Sequence, residues 1–179
     1  MTTESQPEDV RRATLESFLP RIEAVLREVI GKGGFQLSFK IGKGKAALEG
    51  VEPPEFVVDL SGPDSDLLLQ KHAAFLDALE YVVLKAARLD EDLFGRIGFD
   101  CEDWRWLRAQ ELQMAARVAA EQVLEGSGPF AMSPMTARER RIIHLALKGQ
   151  PRVSTASEGF GRDRHVVIRL APSPAPTNR

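Results

Sequence analysis

Two side chains in the last third of the chain have types and a spacing suited to binding a phosphate group. Arg140 and His144 are four positions apart, which on a helix places both on one face, with about 5–6 Å between their Cβ atoms. An arginine offers a planar fork of donors that matches two phosphate oxygens, while a histidine ring donates one hydrogen bond and can stack on an unpaired base. The pair therefore predicts a contact site for single-stranded nucleic acid.

Six further residues of the same region are candidates for contact with nucleic acid. They are Arg141, Lys148, Arg162, Arg164, Ser154 and Thr155. The basic side chains would widen the positive surface around the pair. The hydroxyls, with that of Ser157, lie where a predicted strand runs into a loop, so they either bind phosphate or close turns, and we favour turn closure.

The alternative for the pair is a structural role. His144 would then hydrogen-bond inside the domain, and Arg140 would pair with Glu158. A five-residue pattern is weak by itself. The order of residues over the whole segment 132–168 favours the functional interpretation.

Charge is distributed unevenly along the chain. The segment 136–170 contains eight Arg and Lys against three acids, a net charge of +5, whereas the whole chain carries −2, which leaves −7 for the rest. Arginine and lysine that displace counterions supply most of the non-specific affinity for nucleic acid. A short basic unit attached to an acidic one therefore fits a polyanionic partner, although a basic surface in contact with solvent alone is the simpler alternative.

The residues form no pattern of an active site or a metal site. Cys101 is the only cysteine, and the three histidines have neither His-x-x-x-His spacing nor a cysteine partner, so no metal-ligand pattern is present. The carboxylates at 100–103 lie where a strand meets a helix, and no general acid can be placed beside them. We predict no metal, no cofactor and no catalytic residues, and a nuclease is a distant third interpretation.

The compartment is predicted from apolar stretches and cysteine usage. The longest apolar runs, such as 67–69 and 81–84, are far below the roughly 20 residues that cross a bilayer. The first nine residues lack the basic start and apolar core of a signal peptide, and a single cysteine fits a reducing environment. We expect a cytoplasmic protein with no transmembrane segment.

The elements that must position the pair begin with an N-terminal α/β segment. Apolar residues at three- and four-residue spacing predict a helix over 15–30, which Pro20 should kink or restart. Two strands follow at 35–41 and 56–60, then a short helix at 67–70, and the remaining elements are a longer helix at 74–88 and a strand at 96–101.

The later elements carry the candidate residues. A long helix from Trp104 to about Leu124, capped by Asp103, precedes a Gly- and Pro-containing break. Thr136 and Glu139 have the spacing of a capping box, which predicts a helix that contains the pair and ends near residue 148. Two strands, 152–155 and 165–170, complete this unit.

The sequence thus predicts an α+β protein of two domains. The expected parts are a disordered N-terminus (1–12), an α-β-β-α-α-β domain (13–101), a connecting helix (102–127), a small α/β domain (128–170) and a disordered Pro-rich tail (171–179).

Several runs carry a resemblance to a known family. Arg-Arg-Ile-Ile-His at 140–144, Val-Ser-Thr-Ala-Ser-Glu-Gly at 153–159 and Arg-His-Val-Val-Ile at 164–168 resemble the Arg-x-x-x-His domain of single-stranded nucleic-acid-binding proteins. With the flanking run 134–140, the segment is similar to the C-terminal half of bacterial Jag (KhpB-type) proteins. In that family the basic domain follows a type II KH domain, whose element order is the one predicted for 13–101.

The resemblance implies a function and partners. It implies RNA as the nucleic acid, whereas no residue here by itself distinguishes RNA from DNA. It further implies a post-transcriptional regulator or RNA chaperone linked to cell-envelope growth, with a second small KH protein or the membrane-protein insertase as protein partners.

The KH-like segment departs from the family at its loop. KH domains clamp the nucleic-acid backbone with Gly-x-x-Gly between two helices, and the four positions here are Gln-Lys-His-Ala at 70–73. Lys71 and His72 are retained as weak candidate contacts. The alternative is an interaction scaffold, in which the altered loop and Trp104 bind a protein partner.

Overall fold

A computed structural model of the chain describes residues 6–44 and 52–172, with side chains from residue 15 onward. The described residues divide into two compact units, 6–44 with 52–105 and 106–172. Mixed helix and sheet in both units confirm the α+β class. No helix in the described ranges is long and apolar enough to span a membrane.

The first unit is built on a three-stranded mixed sheet. Its elements are α1 (Gln6–Gly33), β1 (Ser38–Lys43), β2 (Phe56–Ser61), α2 (Ser65–Ala86), a short 3-10 helix (Glu91–Arg96) and β3 (Ile97–Cys101). The strand order is β1-β2-β3, antiparallel between the first two and parallel between the last two. The observed elements follow the predicted order, with the two predicted helices at 67–88 combined in α2.

One hydrophobic core holds this unit together. The period-3.6 pattern of α1 buries one face, the alternation of β2 buries every second residue, and α2 contributes a third surface. The fully buried Val, Leu and Ile residues of these elements are Leu15, Ile22, Leu26, Val58, Leu60, Leu68, Leu76, Val83 and Leu84. Each such side chain stabilises the fold by about 1.5–3 kcal/mol relative to an exposed position.

Helix α1 is longer and more regular than predicted. It begins at Gln6, so residues 6–12, which the sequence assigned to a disordered N-terminus, are helical here, while residues 1–5 lie outside the described range. Pro7 lies in the first turn, where its missing N–H costs nothing. The chain also stays helical through Pro20, because Leu15 before it and Ile22 after it are both buried in the core.

Helix α2 contains a left-handed turn at the position of the altered loop. Gln70 is extended, and Lys71, His72 and Ala73 have φ values of 52°, 57° and 59°. Residues other than glycine lose about 1–2 kcal/mol each in this region. Ala73 nevertheless is fully buried, while Lys71 and His72 are exposed, so core packing on either side holds the turn in this conformation.

The second unit contains a small antiparallel sheet and two helices. Its elements are the part of α3 (Trp104–Leu124) from residue 106, β4 (Phe130–Ala131), α4 (Ala137–Leu147), β5 (Val153–Glu158), a 3-10 helix (Gly161–Asp163) and β6 (His165–Leu170). The strand order is β4-β6-β5, so β5 is an edge strand. Strand β4 was not predicted, because a two-residue strand has no periodicity.

The start of α3 differs from the predicted cap. Asp103 has a φ of 56°, whereas an N-cap residue is normally extended. The Asp100 carboxylate instead accepts from the backbone N–H groups of Arg105, at 3.1 Å, and Cys101, at 2.8 Å. The cap therefore comes from the end of β3.

Most of α3 belongs to the second unit, whereas the sequence predicted a separate connecting helix over 102–127. Residues 106–124 are grouped with the small sheet. The predicted domain bounds themselves stay a prediction, and the tail from residue 173 lies outside the described residues.

Candidate nucleic-acid interface

Helix α4 begins at the predicted capping box. The Thr136 hydroxyl accepts from the Glu139 backbone N–H at 3.3 Å, and the Glu139 carboxylate accepts from the Thr136 N–H at 2.9 Å. This confirms the prediction, because the motif depends only on residues three positions apart. Ile142, Ile143 and Leu147 are buried and fix the orientation of the helix.

The capping carboxylate is also part of an ion pair within the second unit. Glu139 Oε1 lies 2.8 Å from Nε of Arg108 on α3, and the two side chains are only 15% and 14% exposed. Arg108 also contacts Glu111 at 2.8 Å. One carboxylate thus caps α4 and ties it to α3, which sets the position of the two candidate residues one turn further along.

Arg140 and His144 meet two hydroxyls of the edge strand. Nη1 of Arg140 donates to Oγ of Ser157 at 3.0 Å. The ring of His144 lies between two hydroxyls, with Nδ1 2.7 Å from Oγ1 of Thr155 and Nε2 3.1 Å from Oγ of Ser157. We call these four residues the α4–β5 cluster; all four are partly buried.

The period of the strand explains why these two hydroxyls are selected. Successive side chains of a strand point to opposite faces, so Thr155 and Ser157 share the face that meets α4. Ser154 lies on the other face, where its hydroxyl lies 3.5 Å from the Arg169 carbonyl oxygen. The structure therefore brings Thr155 to the predicted pair and leaves Ser154 apart from it.

The surroundings of His144 favour the neutral form of its ring. Burial, and then the positive charge of Arg140, lower the pKa of His144 below its ordinary value of 6.5. A neutral imidazole carries one N–H, so the ring donates to one of its two hydroxyl partners and accepts from the other. Both ring nitrogens thereby have partners, and the cluster carries one net positive charge, on Arg140.

Arg140 has a donor left over. Its Nε is buried and makes no hydrogen bond to any described residue. A buried guanidinium donor without an acceptor carries a desolvation cost, and the same holds for Nε of Arg169 in this unit.

The structural alternative for the pair is half correct. His144 does hydrogen-bond inside the unit. Glu158, however, pairs with Arg169 at 2.5 Å rather than with Arg140. Charge on the arginine of the pair is therefore not neutralised by the acid proposed for it.

The other candidate residues lie on the surface. Arg141 and Lys148 are exposed on α4 and at its C-terminal cap, and Arg162 and Arg164 are exposed in the turn between β5 and β6. Ser157 is the residue whose role we underestimated, since it contacts both members of the pair. Applying the strand period to 153–158 would have grouped it with Thr155.

Lys71 and His72 belong to the first unit, in the left-handed turn of α2. Their exposed side chains are accessible to a ligand. The glycines of a KH loop let phosphates approach the backbone closely, and side chains stand at these four positions instead. This turn therefore lacks the surface by which a Gly-x-x-Gly loop binds.

Comparisons with known proteins match the second unit to a domain family. Residues 106–170 match the R-three-H domain, which is the Arg-x-x-x-His domain. This range includes α4, β5 and β6, and so contains the whole α4–β5 cluster.

Curated relatives match a larger part of the chain. RNA-binding protein KhpB of Clostridium symbiosum is 34% identical over 116 residues, which are 65% of this chain and 52% of the relative. RNA-binding protein KhpB of Bacillus subtilis (strain 168) is 32% identical over 111 residues, 61% of this chain and 53% of the relative. The protein of the same name from Lactiplantibacillus plantarum is 29% identical over 104 residues. The chain spans about half the length of the first two relatives.

Proposed function

Because the chain is KhpB-like and carries an R-three-H domain, we propose that it binds single-stranded RNA through the α4–β5 cluster and the basic side chains around it. The observation that carries the proposal is the placement of Arg140 and His144 of α4 against the hydroxyls of Thr155 and Ser157 on the edge strand. The names of the relatives support RNA as the ligand.

The chemistry of the cluster suits a phosphate. The guanidinium of Arg140 would contact phosphate oxygens, while the ring of His144 and the two hydroxyls supply donors that can rotate or change tautomer to meet them. The ligand would contact the edge strand β5, whose outer side has no neighbouring strand in the sheet. Such contacts position the RNA backbone without reading its sequence.

Exposed basic residues extend the proposed surface. Arg141, Lys148, Arg162 and Arg164 would add phosphate contacts at its margins, within a segment of net charge +5. Affinity that depends on phosphate contacts falls with salt, with a slope of log K on log salt of about −0.7 per phosphate for single strands. We therefore expect a steep salt dependence.

The test is a fluorescence-anisotropy titration of a labelled short single-stranded RNA at two salt concentrations. The double variant Arg140→Ala/His144→Ala should lose at least about 2 kcal/mol of binding, or roughly thirtyfold in Kd. Arg140→Lys keeps the charge but loses the planar fork of donors, so its affinity should lie between that of the wild type and that of the double variant. Arg152→Ala, an exposed arginine outside the cluster, is the matched control.

The outcomes separate the alternatives. A double variant that binds like Arg152→Ala would show that only general charge matters and would overturn the cluster as the site. Thermal melting of each variant checks that the unit stays folded. Equal binding of RNA and DNA of the same sequence would leave the site intact and remove the RNA preference.

We further propose that the chain acts by binding and not by catalysis, in the cytoplasm, as a post-transcriptional regulator or RNA chaperone. The family resemblance supports a link to cell-envelope growth and partners such as a second small KH protein or the membrane-protein insertase. These roles concern the whole relatives, of which the chain covers about half.

The second candidate function is protein binding by the first unit. The altered loop favours it, because Lys71 and His72 occupy positions where a KH domain has its nucleic-acid clamp. Lys71→Ala/His72→Ala should leave RNA affinity within about twofold if this unit is a scaffold. A loss comparable to that of the Arg140→Ala/His144→Ala variant would assign RNA contact to the loop.

A further inference from the structure

The turn between β5 and β6 presents a phenylalanine to solvent. Phe160 is 93% exposed, more than any other large apolar side chain described. Aromatic side chains bury large areas in cores and interfaces, so an almost fully exposed ring gains none of that stabilisation. The ring therefore contributes little to the unit's own core and is accessible to a partner.

The turn that carries Phe160 is ordered by hydrogen bonds. The Phe160 carbonyl oxygen accepts from the Asp163 N–H at 3.1 Å, and the Gly161 carbonyl oxygen accepts from the Arg164 N–H at 3.4 Å. Gly159 has a φ of 81°, and a Cβ there would lie 2.8 Å from the Asp163 carbonyl oxygen. The backbone thus requires a glycine before the ring and projects the ring outward from a closed turn.

The surroundings of the ring identify a polyanion as its partner. Arg162 and Arg164 are exposed in the same turn, and Asp163 is the single acid between them. An apolar protein surface would disfavour two arginines beside the ring, whereas a nucleic-acid strand offers phosphates to the arginines and a base to the phenylalanine. Aromatic rings interleaved with basic residues are typical of single-strand binding surfaces.

The ring is within reach of a strand bound at the α4–β5 cluster. Phe160 follows Ser157 by three positions, so their Cα atoms are at most about 10 Å apart. At about 3.4 Å of rise per stacked nucleotide, this distance corresponds to no more than about three nucleotides. A short RNA can therefore contact both places.

We propose that Phe160 is a base-stacking residue, on which an unpaired base of the bound strand lies while Arg162 and Arg164 contact the flanking phosphates. The proposal rests on the proposed function and adds a second contact to it. Every base has a π-face, so stacking of this kind tolerates any sequence. It would anchor the strand without base-specific hydrogen bonds.

The experiment compares Phe160→Ala, Phe160→Leu and Phe160→Trp with the wild type in the same anisotropy titration. Loss of one stacked base should weaken binding about 5- to 150-fold in Phe160→Ala. Phe160→Leu keeps an apolar side chain without a π-face and should lose nearly as much, whereas Phe160→Trp should bind at least as tightly as wild type. The salt slope should stay unchanged, because no phosphate contact is removed.

A strand without bases isolates stacking. On an abasic ribose-phosphate strand of the same length, Phe160→Ala should bind like the wild type, because no base remains to be lost. Thermal melting should be the same for all variants, since the ring is exposed. A matched control is Tyr81→Ala, another exposed aromatic residue, in the first unit, which should leave RNA binding unchanged.

Failure of this inference can be distinguished from failure of the proposed function. If Arg140→Ala/His144→Ala loses affinity but Phe160→Ala does not, the function stands and the stacking role is overturned. A loss in Phe160→Ala that persists on the abasic strand also overturns stacking, in favour of a general apolar contact. If the wild type binds no RNA, both fail together, and the ring is to be tested as a protein contact.

Discussion

The ion pair between Arg108 and Glu139 should be worth more than a surface pair. The atoms Nε and Oε1 are 2.8 Å apart, and the side chains are 14% and 15% exposed. Removing one partner of a fully buried pair costs about 3–5 kcal/mol, because the other charge is left buried and unpaired. In Arg108→Ala, Glu139 would keep its capping bonds from Thr136 and a little solvent contact, so we expect a loss of about 2 kcal/mol.

Hydrogen–deuterium exchange of the full chain measures this loss at α4. A loss of about 2 kcal/mol corresponds to roughly thirtyfold faster exchange of the protected amides over 137–147. The double variant Arg108→Met/Glu139→Gln removes both charges and should lose less than Arg108→Ala. The matched control is Arg27→Ala in the first unit, which breaks a pair with Glu23 whose side chains are 68% and 43% exposed and should change α1 by no more than about 0.5 kcal/mol.

The pH dependence of the same pair follows from its charge. Burial disfavours the Glu139 carboxylate, but the bonds from Arg108 and Thr136 outweigh it and lower the pKa of Glu139 below 4.5. A lowered pKa of Glu139 gives stability that is present above the pKa of the unfolded chain and is lost as the pH falls through the pKa of the folded protein.

For the Arg108→Ala variant, amide exchange over 137–147 that matches the wild type at neutral pH would refute the expected contribution of the ion pair.

Three further predictions concern single residues. Burial, and then Arg140, lower the pKa of His144, so the second unit should lose stability as the pH falls below 6.5. Thermal melting from about pH 7.5 to about pH 5.5 should show a smaller loss in His144→Gln than in the wild type. His72→Gly should raise the free energy of unfolding by about 0.5–1 kcal/mol, because it relieves the backbone strain of a φ of 57°. The control Ala74→Gly, at a helical position of α2, should lower that free energy by about as much in urea denaturation. Equal effects of the two substitutions would argue against strain at residue 72. Gly159→Ala should lower the melting temperature through its steric conflict and positive φ, and an unchanged value would contradict the ordered turn.

Local sequence patterns determined much of this protein. The capping box at Thr136 and Glu139 was predicted from two residue types three positions apart, and the structure confirms it. The α-helices, the strands other than β4 and the α+β class followed from apolar periods of 3.6 and 2, because the side that is buried leaves its period in the sequence. The uneven charge and the spacing of Arg140 and His144 were likewise visible, because both are properties of the chain and not of its packing.

Only the tertiary structure decided which residues meet. The sequence offered Ser154 and Thr155 as candidates and noted Ser157 only beside them, whereas the placement of β5 against α4 brought Thr155 and Ser157 to the pair. It likewise gave α3 its cap from Asp100, paired Glu158 with Arg169 and held a left-handed turn in α2 against the preference of its residues. Contacts between residues distant in sequence depend on strand register and on which face of a helix is buried, and these outweigh local preferences of about 1–2 kcal/mol per residue.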